Sequence, residues 1–175
     1  MPDESKPMGI WITGLPASGK SRITAELASR MREAGTRVEV LESDALRNFF
    51  SANPSYDEQD RAYFYNSIAF IGKTLVENGI SVIFDATANR RAYRDRARRL
   101  INPFWEIYVD TPLEVCMKRD PKGIYKAGTT GKAQNVPGLG AEYEPPEHPD
   151  LVIHGDRENP ADAAGRIINL IRSKS

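Results

Sequence analysis

Apolar residues come in short runs, separated by stretches in which they recur with helical period, and this alternation sets the order of elements. Met8 to Thr13 is an apolar run that ends at a glycine turn and predicts a buried strand. From Lys20 to Ala34, Ile23, Leu27 and Met31 recur every four residues and predict a helix closed by Gly35. Arg37 to Leu41 reads as a second strand. Glu58 to Asn78 reads as a long helix with Tyr65, Ile68, Ala69, Gly72, Leu75 and Val76 on one face and Gly79 after it. Ile80 to Phe84, β-branched and apolar, predicts a central strand, and Arg90 to Leu100 a very basic helix. Trp105 to Val109 is another strand, followed by a short helix over Pro112 to Arg119 with Thr111 as its N-cap. Leu151 to His154 is the last strand, and Pro160 to Arg172 the last helix, with Ala164, Ile167, Ile168 and Ile171 inward.

Strands that alternate with helices predict an α/β fold with a doubly wound, mostly parallel sheet. Ligands of such sheets bind beyond the carboxyl ends of the strands. Between the short helix and the last strand, residues 120–149 are rich in Gly, Pro, Lys and Thr and lack a sustained apolar period. A connection this long reads as a functional lid or a disordered segment, and the lid is expected here. The expected organisation is one domain over 1–175, with a flexible N-terminus at 1–7 and the lid at 120–149.

Charge narrows the range of partners. Lys plus Arg number 24 and Asp plus Glu number 24, so no global field draws the chain to nucleic acid or to an anionic membrane. Any positive field has to be local to a cleft. No apolar run approaches the roughly 20 residues of a membrane span, and Met1 to Pro7 is too polar for a signal peptide. Cys116 is the single cysteine, which excludes an internal disulfide and reads as a small buried apolar residue. A reducing, cytoplasmic setting is expected.

Gly14-Leu15-Pro16-Ala17-Ser18-Gly19-Lys20-Ser21 fits the P-loop pattern G-x-x-x-x-G-K-[ST], with a strand before it and a helix after it. In such a loop backbone N–H groups turn inward around phosphate oxygens, Lys20 reaches the β- and γ-phosphates from a surface loop, and the Ser21 hydroxyl holds Mg²⁺. The helix behind it offers its positive end to the same anion. No Asn-Lys-x-Asp stretch is present, which argues against guanine-nucleotide switching. The motif and its setting predict a P-loop kinase fold that uses ATP and Mg²⁺ on a small-molecule hydroxyl.

Other stretches are more specific than the P-loop. Tyr108-Val-Asp-Thr-Pro-Leu-Glu-Val-Cys116, Arg119-Asp-Pro-Lys-Gly-Ile-Tyr-Lys126, Tyr143-Glu-Pro-Pro-Glu147 and Pro149-Asp-Leu-Val-Ile153 resemble the adenylyl-sulfate kinase (APS kinase) family, over about Gly9 to Ile153. That resemblance implies phosphorylation of the 3′-hydroxyl of adenylyl sulfate (APS) to give PAPS, and leaves a homodimer open. Leu41-Glu-Ser-Asp-Ala-Leu-Arg47 resembles the family's Leu-Asp-Gly-Asp-Asn-x-Arg. By that match Asp44 orients or deprotonates the acceptor hydroxyl and touches the metal shell, although it also fits a helix N-cap. Arg47 matches an anion ligand of the substrate, where the plain alternative is a solvated helix charge. Arg119 matches an arginine near the ATP base; Lys122 and Lys126 sit in the lid, where they either close on phosphates or are ordinary solvated lysines.

Departures from the family pattern cluster on the acceptor side. Tyr63-Phe64-Tyr65-Asn66-Ser67 stands for Glu-Asn-Ile-Arg-Arg, so an arginine is missing. Ala86-Thr87-Ala88-Asn89-Arg90-Arg91 stands for Phe-Ile-Ser-Pro-Tyr-Arg; Arg91 keeps its place and Arg90 is a candidate compensating cation. Val136 replaces the lid phenylalanine that stacks on the acceptor base, and Tyr56 stands for the opposing aromatic. One feature is gained: Ile80-Ser-Val-Ile-Phe-Asp85 ends in a carboxylate that suits Mg²⁺ or, in place of Asp44, the base. A kinase of another small hydroxyl compound and a nucleotide-binding regulator without catalysis are the alternatives. The basic run Arg90 to Arg99 would be the feature to serve nucleic-acid ends, but reads better as a solvated helix face.

Overall fold

The computed structural model describes residues 6–51 and 53–174, so most of the expected flexible N-terminus, 1–5, lies outside the described residues. The five apolar runs form five parallel strands: β1 Gly9–Thr13, β2 Val38–Glu42, β3 Ser81–Asp85, β4 Phe104–Asp110 and β5 Leu151–His154. Their spatial order is β2-β3-β1-β4-β5. The inner strands β1 and β3 are buried at every position because helices cover both sides of the sheet, whereas the edge strands β2 and β5 are partly exposed. On one face Ile10, Ile12, Ile83, Ile107 and Ile153 pack with Leu27 of α1 (Lys20–Glu33) and Ile167 of α7 (Pro160–Ser173). On the other, Trp11, Val82 and Phe84 pack with Phe64 and Ile68 of α3 (Glu58–Glu77) and Ala97 of α4 (Arg91–Leu100). Gly72 lets α3 lie close on the sheet, since a Cβ there would sit 2.3 Å from Phe84 Cζ.

Most expected elements are present, with β2 and β3 each shifted by one residue, and Leu75, Val76 and Ile168 only partly buried. Four local expectations are corrected. First, Ser43–Phe50 is a helix of its own, α2, and its N-cap is Glu42, whose carboxylate accepts from the Asp44 and Ala45 amides; Asp44 is therefore capped rather than capping. Second, Thr111 does not cap α5 (Leu113–Arg119); its Oγ1 donates instead to Ser18 O at 2.9 Å and ties that helix entrance to the P-loop.

Third, residues 120–149 include a short helix, α6 (Ile124–Thr129). Tyr125 and Val136, both from residues 120–149, join Cys116 of α5 in a small third core. The helix is only six residues long, too short for a periodicity reading to find it. Fourth, the basic helix α4 is not a plain solvated face. Arg94 is 1% exposed and its Nε donates to Glu106 Oε1 at 2.7 Å, while Arg98 reaches Asp150 at 3.0 Å. Glu106 is a buried carboxylate on β4, and burying it requires such a partner.

Candidate active site

The P-loop runs from the end of β1 to the start of α1, at the carboxyl end of the sheet. Gly14 has φ 154°, and a Cβ there would lie 2.5 Å from Val109 O, so the tight exit from β1 requires glycine. Gly19 is the N-cap of α1 and makes no side-chain cap bond. The first amides of α1 are thus left for an anion at the positive end of the helix. Ala17 adopts a left-handed φ of 61° within the loop.

Lys20 is the first residue of α1 and is only 8% exposed, so it is not the surface-loop side chain expected from sequence. Its Nζ donates to Gly14 O at 3.0 Å and to Leu15 O at 2.7 Å. Burial lowers its pKa below the ordinary lysine value, and the negative charge of Asp85 opposes that shift. Asp85, at the end of β3, shows the mirror effect. Burial raises its pKa, while Lys20 and a hydrogen bond with Ser21 pull it back. The two strand ends and the loop therefore hold a buried cation and a buried carboxylate, each stabilised by the other.

These groups open into a cleft of about 790 Å³. Its walls include Lys20, Ser21, Asp44, Asp85, Arg119 and Lys122. Pro16, Ala17 and Gly19 also line it, whereas Ser18 is fully buried and Leu15 packs against the core with Cys116 and Tyr125. Across the cleft Lys122 Nζ meets Asp44 Oδ2 at 2.5 Å, and this hydrogen bond is the main reason the Lys122 pKa is raised. Arg119 sits on the rim, where its Nη2 donates to Gly155 O at 2.9 Å and its Nη1 to Ser18 O at 3.4 Å. Ser21 and Asp85 present hydroxyl and carboxylate oxygens, and Asp44 adds a second carboxylate. That all-oxygen donor set on the cleft wall suits a hard Mg²⁺ ion.

The residues expected on the acceptor side fall in three places. Arg47 is 5% exposed, so it is not a solvated helix charge. It pairs with Asp60 at 2.8 Å and lies over the Phe64 ring at 4.0 Å and the Tyr56 ring at 4.9 Å. Tyr56 itself is partly exposed, with φ 56°. Arg90 and Arg91 do not line the cleft: Arg90 pairs with Glu144 at 2.9 Å, and Arg91 is held by Glu147 and by Pro145 O. The lost arginine is therefore not replaced by a free Arg90. Lys126 is exposed on α6, with its backbone amide bonded to Asp120. Val136 is 4% exposed in the core with Cys116 and Tyr125 and does not line the cleft.

Sequence reasoning missed Arg61. It is 6% exposed on α3; its Nε donates to Tyr56 O and its Nη1 to Asn89 Oδ1, each at 2.8 Å, and its Nη2 donates to Asn135 O. No carboxylate among the described residues pairs with it, and burial lowers its pKa. The available signal was the dipeptide Asp60-Arg61 in the first turn of α3, one turn ahead of the apolar face, but it looked like helix-end charge.

The family model described as adenylylsulphate kinase matches residues 6–154. The chain belongs to that family. An adenylyl-sulfate kinase of Halothermothrix orenii is 32% identical over 169 residues, covering 97% of this chain and 91% of that protein. A probable adenylyl-sulfate kinase of Aeropyrum pernix is 39% identical, covering 85% and 83% respectively. The solved Mycobacterium tuberculosis APS kinase in complex with AMPPNP and APS has a TM-score of 0.89 and 29% identity, covering 95% of this chain and 98% of that one. Within the adenylylsulphate kinase family this chain keeps the P-loop and a cleft that brings Lys20, Ser21, Asp44 and Asp85 together. No helix among the described residues is long and apolar enough to cross a membrane.

Proposed function

We propose that this adenylylsulphate kinase family member transfers the γ-phosphoryl group of ATP to the 3′-hydroxyl of adenylyl sulfate, giving PAPS and ADP, as one kinase domain with 120–149 as its lid. The observation that carries the reading is the convergence of Lys20, Ser21, Asp85 and Asp44 on one cleft at the ends of β1, β2 and β3. Phosphoryl transfer needs the acceptor oxygen in line and the phosphate charge neutralised. Lys20 supplies fixed positive charge beside the P-loop amides; burial keeps it unhydrated and its field strong.

Ser21 and Asp85 would hold Mg²⁺, with Asp44 close to the same shell; when bound, the ion neutralises charge on the phosphates. Asp44, half-exposed on the cleft wall opposite Lys122, is the group that orients the acceptor hydroxyl and takes its proton. Arg119 holds the Ser18 and Gly155 carbonyls beside the nucleotide-base end of the cleft. On the acceptor side Arg61 carries a buried charge that no carboxylate among the described residues pairs with, which favours an anionic acceptor. Arg47 stacks on Tyr56 and Phe64 and stiffens that wall.

A different hydroxyl acceptor is the second reading, favoured by Asn66 in place of an arginine and by the burial of Val136 in the core with Cys116 and Tyr125. The deciding measurement is ADP release with ATP and Mg²⁺ against a panel of hydroxyl compounds that includes APS. Release dependent on APS is expected. ATP binding with no APS-dependent release would transfer the assignment to another acceptor.

A further inference from the structure

Asn89 lies in the turn that leaves β3, and it is 5% exposed. Both ends of its carboxamide are used. Oδ1 accepts from Arg61 Nη1 at 2.8 Å, and Nδ2 donates to Glu142 O at 3.0 Å. Its own carbonyl accepts from the Glu144 amide at 2.8 Å. Arg61 in turn donates to Asn135 O, on the other side of the same lid loop. Asn89 and Arg61 together therefore tie α3 to both flanks of residues 135–144, Arg61 at Asn135 and Asn89 at Glu142 and Glu144.

The turn itself is held firmly. The Ala88 amide donates to the Tyr65 hydroxyl at 3.1 Å, and the Ala88 carbonyl accepts from Arg94 Nη1, while Ala88 takes a left-handed φ of 42°. A non-glycine residue keeps such a φ only where its surroundings over-determine it. Asn89 is thus presented to Arg61 and Glu142 from a rigid base. The carboxamide suits this place because it accepts without carrying charge. A carboxylate would neutralise Arg61 and face the Glu142 carbonyl with no proton to donate.

We propose that Asn89 is a positioning residue for the acceptor: it aims the Arg61 guanidinium and latches the lid loop to it, so that seating the acceptor and closing 135–144 are one linked event. This rests on the functional reading above, with APS as the acceptor. Asn89 does not line the nucleotide cleft, and its side-chain bonds go to Arg61 and Glu142, so its direct effect falls on the acceptor.

The test compares wild type, Asn89→Ala and Asn89→Asp in the full chain, with KM for APS, KM for ATP and kcat measured separately, and with amide exchange of 135–144 followed without substrates. Hydrogen bonds to charged groups are strong enough that KM for APS should rise by about tenfold in Asn89→Ala. It should rise further in Asn89→Asp, where the charge is also cancelled, and KM for ATP should stay within about twofold in both. Exchange across 135–144 should quicken in both variants. An unchanged KM for APS, or KM values for APS and ATP that rise together, overturns the positioning role. Unchanged exchange overturns the latch. Wild-type enzyme that releases no ADP with APS instead overturns the functional reading, and the exchange arm still decides the latch.

Discussion

Lys122 reaches across the cleft to Asp44, Nζ to Oδ2 at 2.5 Å, and so joins the segment between α5 and α6 to the first turn of α2. Both side chains are more than half exposed, at 58% and 53%. Exposed pairs contribute little to stability, so this contact marks where the two walls meet rather than what holds them. The carboxylate it engages is the one assigned to the acceptor hydroxyl.

Asp44→Asn should therefore lower kcat by about a hundredfold or more, in the range of lost acid–base assistance, with KM for ATP nearly unchanged. The change in unfolding free energy should stay below about 1 kcal/mol, as befits an exposed pair. Steady-state kinetics and urea unfolding check both. If Asp85→Asn shows this pattern and Asp44→Asn does not, the base is Asp85.

Lys20→Ala removes the buried cation between the P-loop carbonyls and Asp85. Loss of one preorganised charge-stabilising group costs about 10²–10³ in kcat. The far-UV spectrum should keep its helical shape, because Lys20 contributes only the first residue of α1. Undiminished turnover would remove the phosphate site from this loop.

Glu144 gives a pH-dependent prediction. The Arg91 backbone amide, first, and the Arg90 side chain hold its pKa below the usual glutamate value. A depressed folded pKa contributes stability that is present above the ordinary value of 4.5 and is lost as pH falls through the folded pKa. With Arg90 partly exposed and screened, Glu144→Gln should cost about 0.5–1 kcal/mol at pH 7. The difference from wild type should shrink towards zero in denaturation experiments run below the folded pKa.

Gly72→Ala tests the approach of α3 to the sheet. Alanine favours a helix over glycine by about 1 kcal/mol, but its Cβ would meet the Phe84 ring at 2.3 Å. Overpacking of about 1–3 kcal/mol should win, and Tm should fall. Pairing the change with Phe84→Leu should recover part of the loss if the ring is the cause.

The strands, the P-loop and the main helices were legible because their signals are local: apolar runs, a period of about four residues, and a glycine spacing. What escaped depends on groups far apart in the chain. Helix α2 sets Leu46 against the core and Phe50 edge-on to Phe64 but leaves Phe49 exposed, so its apolar stripe is too short to show its extent or its cap. Arg94 looks like one more charge on a basic helix until Glu106, on a strand twelve residues later, is seen to need it. Aligning Val136 with a stacking phenylalanine located its place in the chain but not its direction, because the core with Cys116 and Tyr125 was not visible in the order of residues. At Arg61 the sequence showed a charge, and only burial without a carboxylate marked it as part of the site.

The core with Cys116, Tyr125 and Val136 has a further contact. The Tyr125 hydroxyl donates to the carbonyl of Pro16 at 3.0 Å, and Leu15 and Ala17 pack against the same cluster. Residues 124–136 thus rest on the P-loop. Two ligands bound to parts of one packed unit influence each other by equal free energies in either direction. Whatever the nucleotide does to the affinity for acceptor, the acceptor does to the affinity for nucleotide, so saturating either substrate should change the dissociation constant of the other by the same factor and in the same direction.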